Sequence, residues 1–141
     1  VIVDYAHTPD ALRYLLSTLK GFCPGRLITV FGCGGERDRG KRRLMGEIAG
    51  RLSDLVVVTD DNPRNEPPEQ IVKEIEIGLT HCKAHYLIIH DRRRAINFAI
   101  NKAKRGDIII VAGKGHETYQ IFGEKVYPCS DIEEVKRALN A

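Results

Sequence analysis

The stretch Leu55-Val56-Val57-Val58-Thr59-Asp60-Asp61-Asn62-Pro63-Arg64 decides the fold. Its first half is an uninterrupted apolar run rich in β-branched residues, the pattern of a strand covered on both faces. Its second half is a polar turn leaving that strand. Pro63 fixes its own φ and biases Asn62 toward extended backbone, so Asn62 and Arg64 are presented on stiff main chain. A guanidinium held at a strand end is suited to gripping a carboxylate through two parallel hydrogen bonds. The turn therefore points to a small ligand carrying a carboxylate.

Working outward, similar apolar runs recur at Val1–Val3, Leu27–Phe31, Tyr86–Ile89 and Ile108–Ala112. Helical patterns separate them. Thr8 caps a helix that opens at Pro9 and continues through Leu12, Leu15, Leu16 and Leu19 to Gly21. A second helix runs from about Lys41 to Leu52. Pro67 or Pro68 opens a third through Ile71, Ile75 and Leu79, and Asp91 caps a fourth through Ala95, Phe98 and Ala99. Ser130 and Glu133 form a capping-box pair for the last. Phe122-Gly123-Glu124-Lys125, within Tyr119–Tyr127, reads as a short hairpin near the sheet edge. This alternation predicts one α/β domain over residues 1–141: a three-layer α/β/α, Rossmann-like fold with a mostly parallel sheet of about six strands, one edge strand antiparallel.

Composition narrows the function classes. Of 141 residues, 43% are hydrophobic and 29% charged, the balance of a globular domain, and a net charge of +3 makes no case for nucleic acid. Arg92-Arg93-Arg94 reads as a solvated helix start beside Asp91, and aromatics at 6% form no stacking pattern. Cys23, Cys33, Cys82 and Cys129 lack metal-ligand spacing and read as reduced thiols of a cytoplasmic protein. No apolar stretch reaches membrane-spanning length. The chain opens at Val1 inside a strand pattern, which suggests an excised domain or a fragment.

In such sheets ligands bind beyond the carboxyl ends of the strands. The loop after Phe31, Gly32-Cys33-Gly34-Gly35-Glu36-Arg37-Asp38-Arg39-Gly40-Lys41-Arg42-Arg43, holds a near match to a P-loop, but Arg42 stands where Ser or Thr must bind magnesium. It also lacks the third glycine of a dinucleotide fingerprint. What remains is a glycine-rich, strongly basic helix start, suited to an anion. The loop after Ala112, Gly113-Lys114-Gly115-His116-Glu117, offers close backbone approach and a carboxylate for an ammonium group; His116 is either an acid–base residue or a structural hydrogen-bonding one. After Val3, Asp4 and His7 are left unexplained by the capping of Thr8 and Pro9. Fixed cations, a fixed anion and exposed backbone together suit a zwitterionic amino acid.

Four motifs in this order, Asp4-Tyr5-Ala6-His7-Thr8-Pro9-Asp10, the Gly32–Arg43 loop, Asp61-Asn62-Pro63-Arg64 and Gly113-Lys114-Gly115-His116-Glu117, resemble the Mur ligase family, over essentially the whole chain. The resemblance implies ATP-dependent amide formation in peptidoglycan synthesis, through an acyl phosphate attacked by an incoming amine. It implies that this is the C-terminal, amino-acid-binding domain, without the central ATPase and N-terminal UDP-binding domains that supply ATP and magnesium contacts. It further implies that Asn62 and Arg64 hold meso-diaminopimelate, that Asp61 and Pro63 shape the turn, that Arg37, Gly113 and Glu117 complete the site, and that Asp4 and His7 face ATP. The other substrate would be UDP-MurNAc-dipeptide, with no nucleic acid or membrane partner. No residue here is assigned a catalytic or metal-binding role. The physics favours diaminopimelate over lysine: lysine lacks the distal carboxylate, and an unpaired buried guanidinium rejects such an analogue by on the order of 10⁴ in favourable cases. The remaining alternatives are a stand-alone nucleotide- or phospho-ligand-binding module and, more weakly, a nucleic-acid binder.

Overall fold

The computed structural model describes all residues from Val1 to Ala141. The five apolar runs become β1 (Ile2–Asp4), β2 (Leu27–Phe31), β3 (Leu55–Val58), β4 (Tyr86–Ile88) and β5 (Ile108–Ala112). They form one sheet in the order β1-β5-β2-β3-β4, and every pairing in it is parallel. Helices α1 (Pro9–Lys20), α2 (Gly40–Leu52) and α3 (Pro68–His81) cover one face, and α4 (Arg92–Lys102) and α5 (Asp131–Leu139) cover the other.

The period of two along each strand explains why both faces are apolar. In β3, Val56 and Val58 point toward α1–α3 while Val57 points toward α4. In β5, Ile110 and Ala112 face the first layer, Ile109 and Val111 the second. Full burial of each of these valines and isoleucines contributes ~1.5–3 kcal/mol. The helix starts follow their expected caps: Thr8 Oγ1 accepts from Ala11 N, Asp91 Oδ1 from Arg94 N, and Ser130 Oγ from Glu133 N.

Three features differ from the sequence expectations. The sheet has five strands and no antiparallel edge; the antiparallel pairing belongs to a separate hairpin, β6 (Tyr119–Phe122) with β7 (Lys125–Pro128). Nor does that hairpin flank the sheet edge. It lies over the strand ends, because Gly113 (φ 113°) and Gly115 (φ 55°) turn the chain out of β5, and Gln120 Nε2 then donates to the carbonyls of Asp60 and Asp61. Finally, Arg92 is not solvated. It is 1% exposed, its Nε and NH2 donate to both carboxylate oxygens of Asp131 at 2.7 and 2.8 Å, and it also donates to the carbonyls of Asp60 and Ala112. Burial alone would lower its pKa; the Asp131 carboxylate reverses this and holds the guanidinium charged.

The strand order positions the site. After β4 the chain crosses back and inserts β5 between β1 and β2. The loops following β1, β2, β3 and β5 therefore open onto one end of the sheet.

Candidate functional site

Two loops build most of the site, and they touch through main chain. Gly35 N–H donates to Asn62 O at 2.7 Å, and a Cβ on Gly35 would sit 1.8 Å from Pro63 O. Only glycine permits that approach. Gly32 is packed similarly, with Thr59 O 2.1 Å from where its Cβ would be.

Between these loops and the one after β5 lies a cleft of about 370 Å³, within the range of small-molecule sites. Its walls include Arg37, Asp61, Asn62, Arg64, Gly113 and Glu117, so six of the expected ligand-binding residues share one cavity. His7, Lys41, Tyr5 and Tyr119 also line it. Pro63 is buried behind the wall, its carbonyl against Gly35. Asp4 ends β1 outside the cleft wall, where its Oδ1 accepts the Ala6 N–H at 2.8 Å. His7 is exposed at the rim, with Nδ1 2.9 Å from Tyr5 O and its ring 4.5 Å from that of Tyr5. His116 is exposed and lines a different cavity beside α5, near Arg137 and Glu133.

Arg64 is held more tightly than its proline neighbour alone would hold it. Its φ is 55°, in the left-handed region, an uncommon conformation for a residue with a side chain. The hairpin holds it there: Arg64 N–H donates to Ile121 O, and Gly123 N–H donates to Arg64 O. Its NH1 donates to Gly35 O at 2.9 Å, which leaves the NH2 and Nε edge for a carboxylate. Asn62 is held by the same hairpin, since its Oδ1 accepts the Ile121 N–H at 3.0 Å.

Glu117 lines the same cleft. Its Oε1 is 3.7 Å from Nζ of Lys114. Lys114 is fully buried, donates to Tyr119 O, and lies 5.3 Å from the centre of the Tyr119 ring. The sequence marked Lys114 only as part of a glycine loop; a lysine between two glycines carries no signal of burial.

Two cations of the basic helix start are already paired, while Arg37 and Lys41 line the cleft. Arg42 is 1% exposed and held by Glu66 and Glu74, and Arg39 pairs with Glu74 at 2.9 Å. The Glu36 amide donates to Glu66 Oε1 and the Gly40 amide to Asp38 Oδ1, so carboxylates of the chain already occupy donors a phosphate would need. Hydrogen bonding to Arg42, then to the Glu36 amide, holds Glu66 down to a pKa of about 2. The chain contains no cluster of three acidic, His or Cys side chains that could enclose a metal ion by themselves.

An open parallel sheet with a charged cleft at its carboxyl ends defines an α/β ligand-binding domain, and the chain belongs to the Mur ligase family: the family model described as "Mur ligase, glutamate ligase domain" matches residues 1–115. Among individual proteins it is similar to UDP-N-acetylmuramoyl-L-alanyl-D-glutamate–2,6-diaminopimelate ligase. It is 51% identical to that ligase of Caldanaerobacter subterraneus subsp. tengcongensis over 139 residues, covering 99% of this chain and 29% of the relative. It is 51% identical to that of Clostridioides difficile over 140 residues, with the same 99% and 29% coverage. A solved structure of a ligase of this name superposes with a TM-score of 0.92 at 48% identity, over 98% of this chain and 28% of that one. The chain thus spans under a third of the length of these relatives.

Proposed function

We propose that this chain is the amino-acid-binding domain of a cytoplasmic, ATP-dependent ligase that adds meso-diaminopimelate to UDP-N-acetylmuramoyl-L-alanyl-D-glutamate in peptidoglycan synthesis. The observation that carries this reading is that Arg37, Arg64 and Glu117 line one cleft. Diaminopimelate is an amino acid at both ends. One amine attacks; the far end must be held. Arg64, through its NH2 and Nε edge, and Arg37 take the far carboxylate, while Glu117 takes the far ammonium. Asn62 and Asp61 complete the wall, with Pro63 and Gly113 fixing the backbone. Each charge-assisted hydrogen bond contributes ~1.5–3 kcal/mol.

Asp4 and His7 lie on the β1 side, where the chain would meet ATP bound by another domain. In such a ligase ATP would activate the acceptor carboxylate. The chain alone is expected to bind the amino acid without turnover. The alternative of a phospho-ligand module is disfavoured by the carboxylates that occupy the Glu36 and Gly40 amides.

Calorimetry on the chain tests the reading. Binding of meso-diaminopimelate, with L-lysine binding at least tenfold weaker, supports it. Loss of that preference in Arg64→Ala is also expected. Equal binding of the two amino acids by the unaltered chain, or nucleotide binding that ignores both, refutes it.

A further inference from the structure

We propose that Arg42, acting with Glu66, is a positioning residue that locks the loop after β2 to the turn after β3, so that Arg37 and Arg64 are preset before a ligand arrives. This rests on the ligand reading above only in naming what the cleft receives.

Arg42 sits on α2, in the layer that packs against α3. Its guanidinium reaches three separate segments. NH2 donates to Gly34 O at 3.1 Å and to Glu66 Oε1 at 2.8 Å; NH1 donates to Glu66 Oε2 at 2.9 Å and to Glu74 Oε2 at 2.5 Å. Gly34 belongs to the glycine loop, Glu66 follows the Arg64 turn, and Glu74 is on α3. Nε is buried without a hydrogen-bond partner. The terminal nitrogens thus join both loops and α3, while Nε goes without a partner.

Glu66 completes the lock. Besides Arg42 it accepts the Glu36 N–H at 2.6 Å, and Glu36 Oε1 in turn accepts from both Asn65 N and Asn65 Nδ2. Glu36 and Arg64 both have left-handed backbone, φ 56° and 55°, one in each loop. Such conformations persist only where surroundings over-determine them. If α2 needed only to pack on α3, an apolar side chain of similar volume would serve as well as a buried ion pair. What an apolar side chain cannot do is hold Gly34 and Glu66 at fixed separation.

Amide hydrogen exchange by NMR on the chain, together with calorimetry, separates positioning from packing. In Arg42→Met, the amides of Gly35, Glu36 and Arg64 are expected to exchange at least tenfold faster, while those within α2 and α3 keep their protection. The dissociation constant for meso-diaminopimelate is expected to rise at least tenfold. Glu66→Gln, which keeps its shape and loses its charge, is expected to accelerate the same three amides to a smaller degree, and serves if Arg42→Met does not fold. Unchanged protection at these amides, or acceleration spread evenly over α2 and α3, overturns the proposal. Failure of the unaltered chain to bind diaminopimelate would sink the ligand reading, while the exchange pattern would still decide the lock.

Discussion

Replacing Gly35 with alanine attacks the contact on which the cleft is built. The new Cβ would lie 1.8 Å from Pro63 O and 2.6 Å from Pro63 C, both backbone atoms. Restoring an ordinary contact of 3.4 Å requires the two loops to separate by about 1.6 Å, because backbone cannot swing aside as a side chain does. That displacement breaks the Gly35 N–H to Asn62 O bond and the Arg64 NH1 to Gly35 O bond. Two hydrogen bonds at ~1 kcal/mol each, plus strain, give a loss of ~2–4 kcal/mol. For a chain of this size that lowers the thermal midpoint by roughly 7–14 °C. Thermal unfolding followed by circular dichroism measures it. Gly21→Ala is the control: its nearest atom would be 3.4 Å away and its φ is −67°, so it should change stability by ~0.5 kcal/mol or less. The calorimetric signal for meso-diaminopimelate should vanish in Gly35→Ala and persist in Gly21→Ala. A Gly35→Ala chain with unaltered stability and binding would refute the account of how these loops meet.

Arg92→Ala leaves the buried Asp131 carboxylate without its counter-charge and should cost ~3–5 kcal/mol in urea unfolding, whereas the double change Arg92→Met with Asp131→Leu should cost less than Arg92→Ala alone. Glu66, held at a pKa of about 2 against an ordinary 4.5, is more acidic folded than unfolded. Its contribution is therefore present above about pH 4.5 and lost as pH falls toward about 2; at 21% side-chain exposure, screening leaves ~1–2 kcal/mol of it. Unfolding midpoints measured across that window should be less pH-dependent in Glu66→Gln. Burial pushes the Cys33 thiol up to about 12 from 9.0, so at pH 8 its thiolate is about a thousandfold scarcer than that of an ordinary cysteine. Alkylation followed by mass spectrometry should modify the half-buried Cys23 well before Cys33.

The strands were legible because burial on both faces writes itself as unbroken β-branched runs, and the caps because Thr8, Asp91 and Ser130 act locally on the next helical turn. The members of the cleft were legible because loops after parallel strands converge at one end of the sheet. What the sequence hid was long-range. Arg92 looked solvated because its partner, Asp131, lies in the last helix. Arg42 looked like part of an anion site because Glu66 and Glu74 enter from the far side of the turn. The left-handed backbone of Arg64 was hidden too, since Pro63 constrains itself and the preceding Asn62 but not the residue after it, and the constraint on Arg64 comes from Ile121 and Gly123 in a hairpin far along the sequence.

A crystal structure of the chain with meso-diaminopimelate decides whether Arg64 holds the distal carboxylate. The amino acid is expected in the cleft with that carboxylate at hydrogen-bond distance, ~2.7–2.9 Å, from Arg64 NH2 or Nε, with Arg37 beside it and the distal ammonium on Glu117. Diaminopimelate bound outside the cleft, or inside it with its distal carboxylate turned away from Arg64, would contradict that role.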